Sequence, residues 1–213
     1  MKLYSYWRSS AAYRVRIALN LKQLSFETIP VHLLKEGGQQ HQPPYQRLNP
    51  AELVPVFIDE QATLHQSLAI IEYLEECYPQ HALLPDNPVA RAQVRGLALD
   101  IACEMHPLNN LRVLQYLTGP LALSEAQKLE WLHHWLHVGF KAFEQRLSSC
   151  AGDYCYGDSV SLADVCLVPQ VYNGLRFKLD MMHYPQINRI YHHCQQLAAF
   201  ALAAPEHQSD AQL

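Results

Sequence analysis

The sequence carries little excess charge of either sign: 16 Lys and Arg against 20 Asp and Glu give a formal net charge of -4 and a pI near 6.3. A chain so balanced has no general pull on nucleic acid or anionic lipid, so neither is expected as a partner. No apolar run is long enough to cross a membrane, and the opening Met1-Lys2-Leu3-Tyr4-Ser5-Tyr6 enters a strand-like pattern without a secretory signal. A cytoplasmic protein is the expectation. The six cysteines, Cys77, Cys103, Cys150, Cys155, Cys166 and Cys194, form no CxxC pair and no zinc spacing, and read as reduced thiols. His133-His134-x-x-His137 has two histidines four apart but neither the intervening Glu nor a third ligand of a zinc helix. It reads as a solvated helix face, as does His192-His193, and no metal is expected.

What is present is enough for two domains with cores of their own: 213 residues, 49% hydrophobic and 17% charged. Residues 3–7 read as strand and 11–21 as helix, with Tyr13, Ile17 and Leu21 at i, i+4, i+8. Residues 26–31 give a second strand, completing a βαβ unit. A polar loop, Lys35 to Gln40, leads through Pro43-Pro44 to a segment ending at Leu48. Pro55 stands directly before a strand, where it cannot donate to a ladder, so Val54-Pro55 is placed at a turn and is a candidate for the cis isomer. Residues 56–58 and 62–65 form a hairpin, and 67–78 an amphipathic helix with Leu68, Ile71 and Leu74 on its apolar side. The order is βαβ followed by ββα.

Three prolines, Pro79, Pro85 and Pro88, mark a linker in which Leu83-Leu84 anchors the chain to a surface. Beyond it no strand pattern occurs. Helical periodicity over 88–117 is interrupted at His106-Pro107; Ser124-Glu125-Ala126-Gln127 and Ser161-Leu162-Ala163-Asp164 have the form of capping boxes; and 185–197 and 200–204 are helical. The tail 205–213 is expected to fray. The domains are therefore 1–79, a linker 80–87, and an all-helical 88–213.

The chemistry concentrates at Ser9 and Ser10, where the first strand passes into the first helix. A helix start offers unpaired N–H groups and a positive dipole end, which together suit an anion. Ser is equally a preferred N-cap, so the pattern alone leaves a capping role and an anion site both open.

The residues Ser9-Ser10-Ala11-Ala12-Tyr13-Arg14-Val15-Arg16-Ile17-Ala18-Leu19 resemble the signature of zeta-class glutathione transferases, Ser-Ser-Cys-x-x-Arg-Val-Arg-Ile-Ala-Leu. Asn49-Pro50 with Val54-Pro55, Gln66-Ser67 with the helix after it, His106-Pro107-Leu108-Asn109-Asn110-Leu111-Arg112, and Leu162-Ala163-Asp164 with Leu167-Val168-Pro169-Gln170 are similar to the same class. The resemblance covers nearly the whole chain. It implies a thioredoxin-like domain followed by an all-helical one, α/β plus all-α, with glutathione as cofactor and a homodimer as assembly. It also implies that the glutathione sulfur lies at Ser9, Ser10 and Ala11, the cysteinyl backbone at Val54, and the γ-glutamyl end at Gln66 and Ser67. Gln40, His106, Asn110 and Arg112 are further glutathione contacts by the same resemblance. The class has Cys where this chain has Ala11, so no protein thiol is available there. Ser9-Ser10-Ala11-Ala12 also occupies the position of a redox CxxC, which excludes a disulfide oxidoreductase.

The class includes isomerases of maleylacetoacetate and, in close relatives, of maleylpyruvate, reactions of aromatic catabolism. Their diacid substrate asks for cations, for which Arg8, Arg112 and Arg176 are candidates, with His106 and Asn109 beside them. His106, Asn109 and Asn110, at i, i+3, i+4, would share one helical face. Arg176 reads equally as a partner in an ordinary ion pair and His106 as a kink residue bonding a freed carbonyl. At least one of Arg14 and Arg16 is expected at a domain or dimer interface. The implied activity is glutathione-dependent cis-trans isomerisation of a maleyl keto-diacid, with general glutathione transfer and a non-catalytic assembly module as the alternatives.

Overall fold

Two parallel strands joined through a helix begin the chain, because parallel neighbours need a crossover longer than a tight turn. In the computed structural model, which describes residues 1–212, β1 (Lys2–Ser5) runs parallel to β2 (Glu27–Pro30) across helix α1 (Ser10–Leu21). On its other side β1 pairs antiparallel with β3 (Val56–Ile58), which pairs antiparallel with β4 (Thr63–His65), giving the order β2-β1-β3-β4. Asp59 closes the β3–β4 hairpin: its Oδ1 accepts from the N–H groups of Gln61 and Ala62, each at 2.9 Å. A short helix α2 (Pro43–Leu48) precedes β3, and α3 (Ser67–Cys77) follows β4. The βαβ-ββα order is the expected one.

The chain forms two compact units, Met1–Ala82 with Gln196–Leu213, and Leu83–Gln195. In the first unit α1 is buried from Ala12 through Leu19, well beyond the stripe of Tyr13, Ile17 and Leu21, and Leu21 itself is half-exposed. The reason is that α1 packs against α3 and also against α9 (Ala198–Ala203), a helix that local periodicity assigns to the second half. The core side of α3 carries Ile70, Ile71 and Leu74, with Leu68 half-exposed.

The C-terminal residues are not frayed through Gln212. Pro205–His207 forms a turn of 3-10 helix, and Asp210 Oδ2 accepts the backbone N–H of Trp7 at 3.1 Å. Leu213 lies outside the described residues.

The second unit is built from α4 (Pro88–Leu99), α5 (Leu111–Thr118), α6 (Glu125–Cys150), α7 (Leu162–Arg176) and α8 (Pro185–Gln195). Pro107 cannot donate to a helical ladder, and the chain responds over a whole segment: Asp100–Met105 is π-helical and His106–Asn109 is 3-10. Gly139 on α6 accommodates this, since a Cβ there would lie 2.1 Å from Met105 Cγ. Both capping boxes form, at Ser124 with Gln127 and at Ser161 with Asp164. Asp164 is fully buried and accepts from the N–H of Cys155, the N–H of Ser161 and the Ser161 hydroxyl, each at 2.8 Å. None of the described helices is long and apolar enough to cross a membrane.

Candidate active site

At the junction of β1 and α1 the two serines take different places. Ser9 is the N-cap, with φ -70° and ψ 116°, and its Oγ accepts from Ala12 N–H at 3.2 Å. Ser10 is the first helical residue and is buried, with Ala11 half-buried beside it. The side-chain cap is thus made by Ser9, and Ser10 follows it as the first residue of the helix. The approach is fixed by aromatic packing: the Arg8 guanidinium lies 4.6 Å from the Trp7 ring centroid and donates to Tyr6 Oη at 3.2 Å.

Val54-Pro55 is cis. The turn before it is tied at the Leu53 carbonyl, which accepts from Tyr45 Oη at 2.7 Å and Asn49 Nδ2 at 2.8 Å. Gln40 is buried, its Nε2 donating to the Leu33 carbonyl at 3.3 Å. Gln66 has φ 71° and ψ 116°, and its side chain makes no cap on α3. Ser67, the first residue of α3, is buried, and Arg14 Nη1 donates to its Oγ at 3.3 Å. Ser9, Ser10, Ala11, Gln40, Val54, Gln66 and Ser67 all belong to the first unit.

Both helix arginines are buried inside that unit. Arg14 reaches Ser67, while Arg16 donates to the Ala203 carbonyl, Ser5 Oγ and the Trp7 carbonyl, each at 3.0 Å.

The second unit holds the other candidates in a chain of amides. Asn109 Nδ2 donates to the Met105 carbonyl at 2.9 Å, Asn173 Nδ2 donates to Asn109 Oδ1 at 3.2 Å, and Arg176 Nη2 donates to Asn173 Oδ1 at 3.1 Å. Asn109 thus ties the 3-10 turn back to the last residue of the π-helical segment. Because residues 106–109 are 3-10 and Asn110 is extended, the expected common helical face does not form: Asn109 is buried, whereas His106 and Asn110 are half-buried, with His106 Nε2 and Asn110 Nδ2 3.4 Å apart. Asn110 also caps α5, its Oδ1 accepting from Arg112 N–H at 3.2 Å. Arg112 and Arg176 are exposed, and the Arg176 guanidinium lies 4.3 Å from the Phe177 ring centroid. Asn173, which links Arg176 to Asn109, carries no local pattern and was visible only through the fold.

His133 and His137 are half-buried and internally bonded rather than solvated. His133 Nε2 lies 2.8 Å from the Phe177 carbonyl and His137 Nδ1 2.7 Å from Tyr184 Oη. Burial, followed by the neighbouring His133, pushes the His137 pKa down. Burial pushes the thiols of Cys150, Cys155 and Cys194 up, so these three are poor nucleophiles.

Residues 3–82 match the family model for the glutathione S-transferase N-terminal domain. A probable maleylacetoacetate isomerase of Vibrio cholerae is 57% identical over 98% of this chain and 97% of its own. Among solved structures, the holo form of a bacterial zeta-class maleylpyruvate isomerase superposes with a TM-score of 0.96, at 43% identity and full coverage of both chains. Maleylacetoacetate isomerase of Anaeromyxobacter dehalogenans, with dicarboxyethyl glutathione and citrate in its active site, superposes with a TM-score of 0.87 at 39% identity, covering 100% of this chain and 97% of that one. With its thioredoxin-like N-terminal sheet, its helical second half and likeness to such relatives along its full length, the chain belongs to the zeta class of the glutathione transferase family.

Proposed function

We propose that this protein is a glutathione-dependent isomerase that converts maleylacetoacetate to fumarylacetoacetate. Glutathione thiolate adds to the cis alkene, the electron pair passes to the conjugated carbonyl, and the former double bond rotates as a single bond. Expulsion of the same thiolate restores the alkene as trans and returns glutathione unchanged. A free thiol has a pKa near ~8.5, and lowering it to about 7 takes roughly 2 kcal/mol. A helix start supplies ~0.3–2 kcal/mol and a hydrogen bond to a charged acceptor ~1.5–3 kcal/mol, so the start of α1 with the Ser10 hydroxyl suffices and no protein base is needed.

The observation that carries the reading is the division of labour at this helix start. Ser9 caps the helix and Ser10 follows it with no protein thiol at Ala11. A relative bearing an S-dicarboxyethyl glutathione supports it, because that ligand is the adduct of glutathione with a four-carbon unsaturated diacid. In this reading Ala11, Gln40, Val54, Gln66 and Ser67 bind glutathione, and His106, Asn110 and Arg112 are carried over as glutathione contacts from the likeness to the zeta class. Arg8, Arg112 and Arg176 meet the substrate carboxylates, His106 lines the acid site, and Asn109 orients Asn173 and through it Arg176. The enzyme acts as a homodimer in the cytoplasm.

The test is loss of the cis isomer of maleylacetoacetate, and separately of maleylpyruvate, with and without glutathione. Isomerisation of maleylacetoacetate only with glutathione is the expected result. Preference for maleylpyruvate would reassign the substrate. Glutathione binding without isomerisation of either acid would make the protein a transferase for another electrophile, and no glutathione binding at all would leave a non-catalytic module.

A further inference from the structure

We propose that Arg14 is a positioning residue for the γ-glutamyl carboxylate of glutathione, acting through Ser67. The inference rests on the glutathione reading above and adds to it a residue that itself does not touch the ligand. Arg14 lies four residues after Ser10 on α1, so the two share a helix face one turn, about 5.4 Å, apart. Arg14 is 2% exposed and donates through Nη1 to Ser67 Oγ at 3.3 Å, where Ser67 opens α3 and is itself 5% exposed. The Arg14 guanidinium and the N–H groups at the start of α3 both bring positive charge to Ser67, a combination suited to a site that receives an anion.

Two further features agree. Gln66 holds a left-handed backbone, unusual for a residue with a Cβ and of the kind that gathers at ligand sites, and its side chain leaves the first turn of α3 uncapped. The bond from Arg14 occupies a lone pair of Ser67 Oγ, which turns the hydroxyl proton away from the guanidinium and leaves it to donate outward. A carboxylate at this point accepts from Ser67 and from the α3 N–H groups, with the Arg14 charge behind them. One rigid helix thereby sets both ends of the ligand, the sulfur at Ser10 and the γ-glutamyl end at Ser67.

The experiment measures the dissociation constants of two probes, glutathione and glutathione whose γ-glutamyl α-carboxylate is an amide, for the wild type, Arg14→Gln, Arg14→Lys, Ser67→Ala and the Arg14→Gln/Ser67→Ala double variant. Wild type should prefer the acid, and Arg14→Gln should cut that preference roughly tenfold or more, the size of one charge-assisted hydrogen bond. Arg14→Lys keeps a cation without the planar fork and should cut it less. Once Ser67 is Ala, Arg14→Gln should cost clearly less than in the wild type, because the two act as a unit. A merely structural role would weaken both probes equally, and that result overturns the proposal. Should Arg14→Gln not fold, an unaltered acid preference in Arg14→Lys overturns it equally. Ser67→Ala without effect on glutathione would instead remove Ser67 from the site and the γ-glutamyl reading with it.

Discussion

Replacing Ser10 by Ala tests the chemistry at its narrowest point, because the structure separates this hydroxyl from the one that holds the helix. The cap is made by Ser9, whose Oγ accepts the Ala12 N–H, so Ser10→Ala leaves the start of α1 intact. What it removes is a donor to a thiolate. A hydrogen bond to a charged acceptor contributes about 1.5–3 kcal/mol, which at ~1.4 kcal/mol per unit raises the pKa of bound glutathione by roughly 1–2 units. At neutral pH the thiolate fraction, and with it the isomerisation rate, then falls about 5- to 50-fold from a starting pKa of about 7. The sign fixes the pH profile: the thiolate forms above its pKa, so the variant's rate deficit should narrow as pH rises through the raised value.

The assay is a titration of the bound thiolate by its ultraviolet absorbance, alongside the isomerisation rate at each pH. An unchanged thiol pKa with a lowered rate would refute the reasoning, since Ser10 would then act on the substrate. A deficit constant at all pH values would do the same.

Asp164→Ala leaves three buried donors unpaired, which should cost on the order of 3–5 kcal/mol and lower the melting temperature by roughly 6–20 °C; thermal denaturation showing a shift below a few degrees would contradict the burial and bonding found here. Arg176→Ala should raise KM for a diacid substrate more than for a neutral electrophile, and an equal effect on both would place Arg176 outside the acid site. Asp210→Ala, which removes the acceptor for Trp7 N–H, should lower the unfolding free energy by about 1–2 kcal/mol in urea titrations, whereas Asp210→Asn retains an acceptor oxygen and should restore most of the loss.

The features readable in the sequence are those whose causes are local. Both capping boxes, the β3–β4 hairpin, the turn at Val54-Pro55 and the break at Pro107 each depend on residues a few positions apart, and each is found. At the candidate site the same holds for Ser9, Ser10 and Ser67, which mark helix starts. Asn173 was missed because its contact, Asn109, lies 64 residues away. The helical face drawn for His106, Asn109 and Asn110 failed because Pro107 changes the period itself: a 3-10 turn followed by an extended residue points Asn109 inward.

The largest departure is at the C-terminus, and it bears on the site. A polar tail without periodicity gives no local reason to be ordered, yet its Asp210 accepts the N–H of Trp7, 203 residues away. The other backbone group of Trp7, its carbonyl, is held by Arg16, which donates also to the carbonyl of Ala203 on α9 and to Ser5 Oγ at the end of β1. Three acceptors set apart from one another suit a guanidinium, whose five donors are spread over a planar fork, whereas the three donors of a lysine all diverge from one nitrogen. That explains a charged residue 1% exposed on a helix with no solvent face to give it. The peptide that delivers the chain to Ser9 and Ser10 is thus held at its N–H by Asp210 and at its carbonyl by Arg16, which itself is tied to α9 through Ala203. The helix start on which the sulfur chemistry depends is set, in part, by the opposite end of the chain.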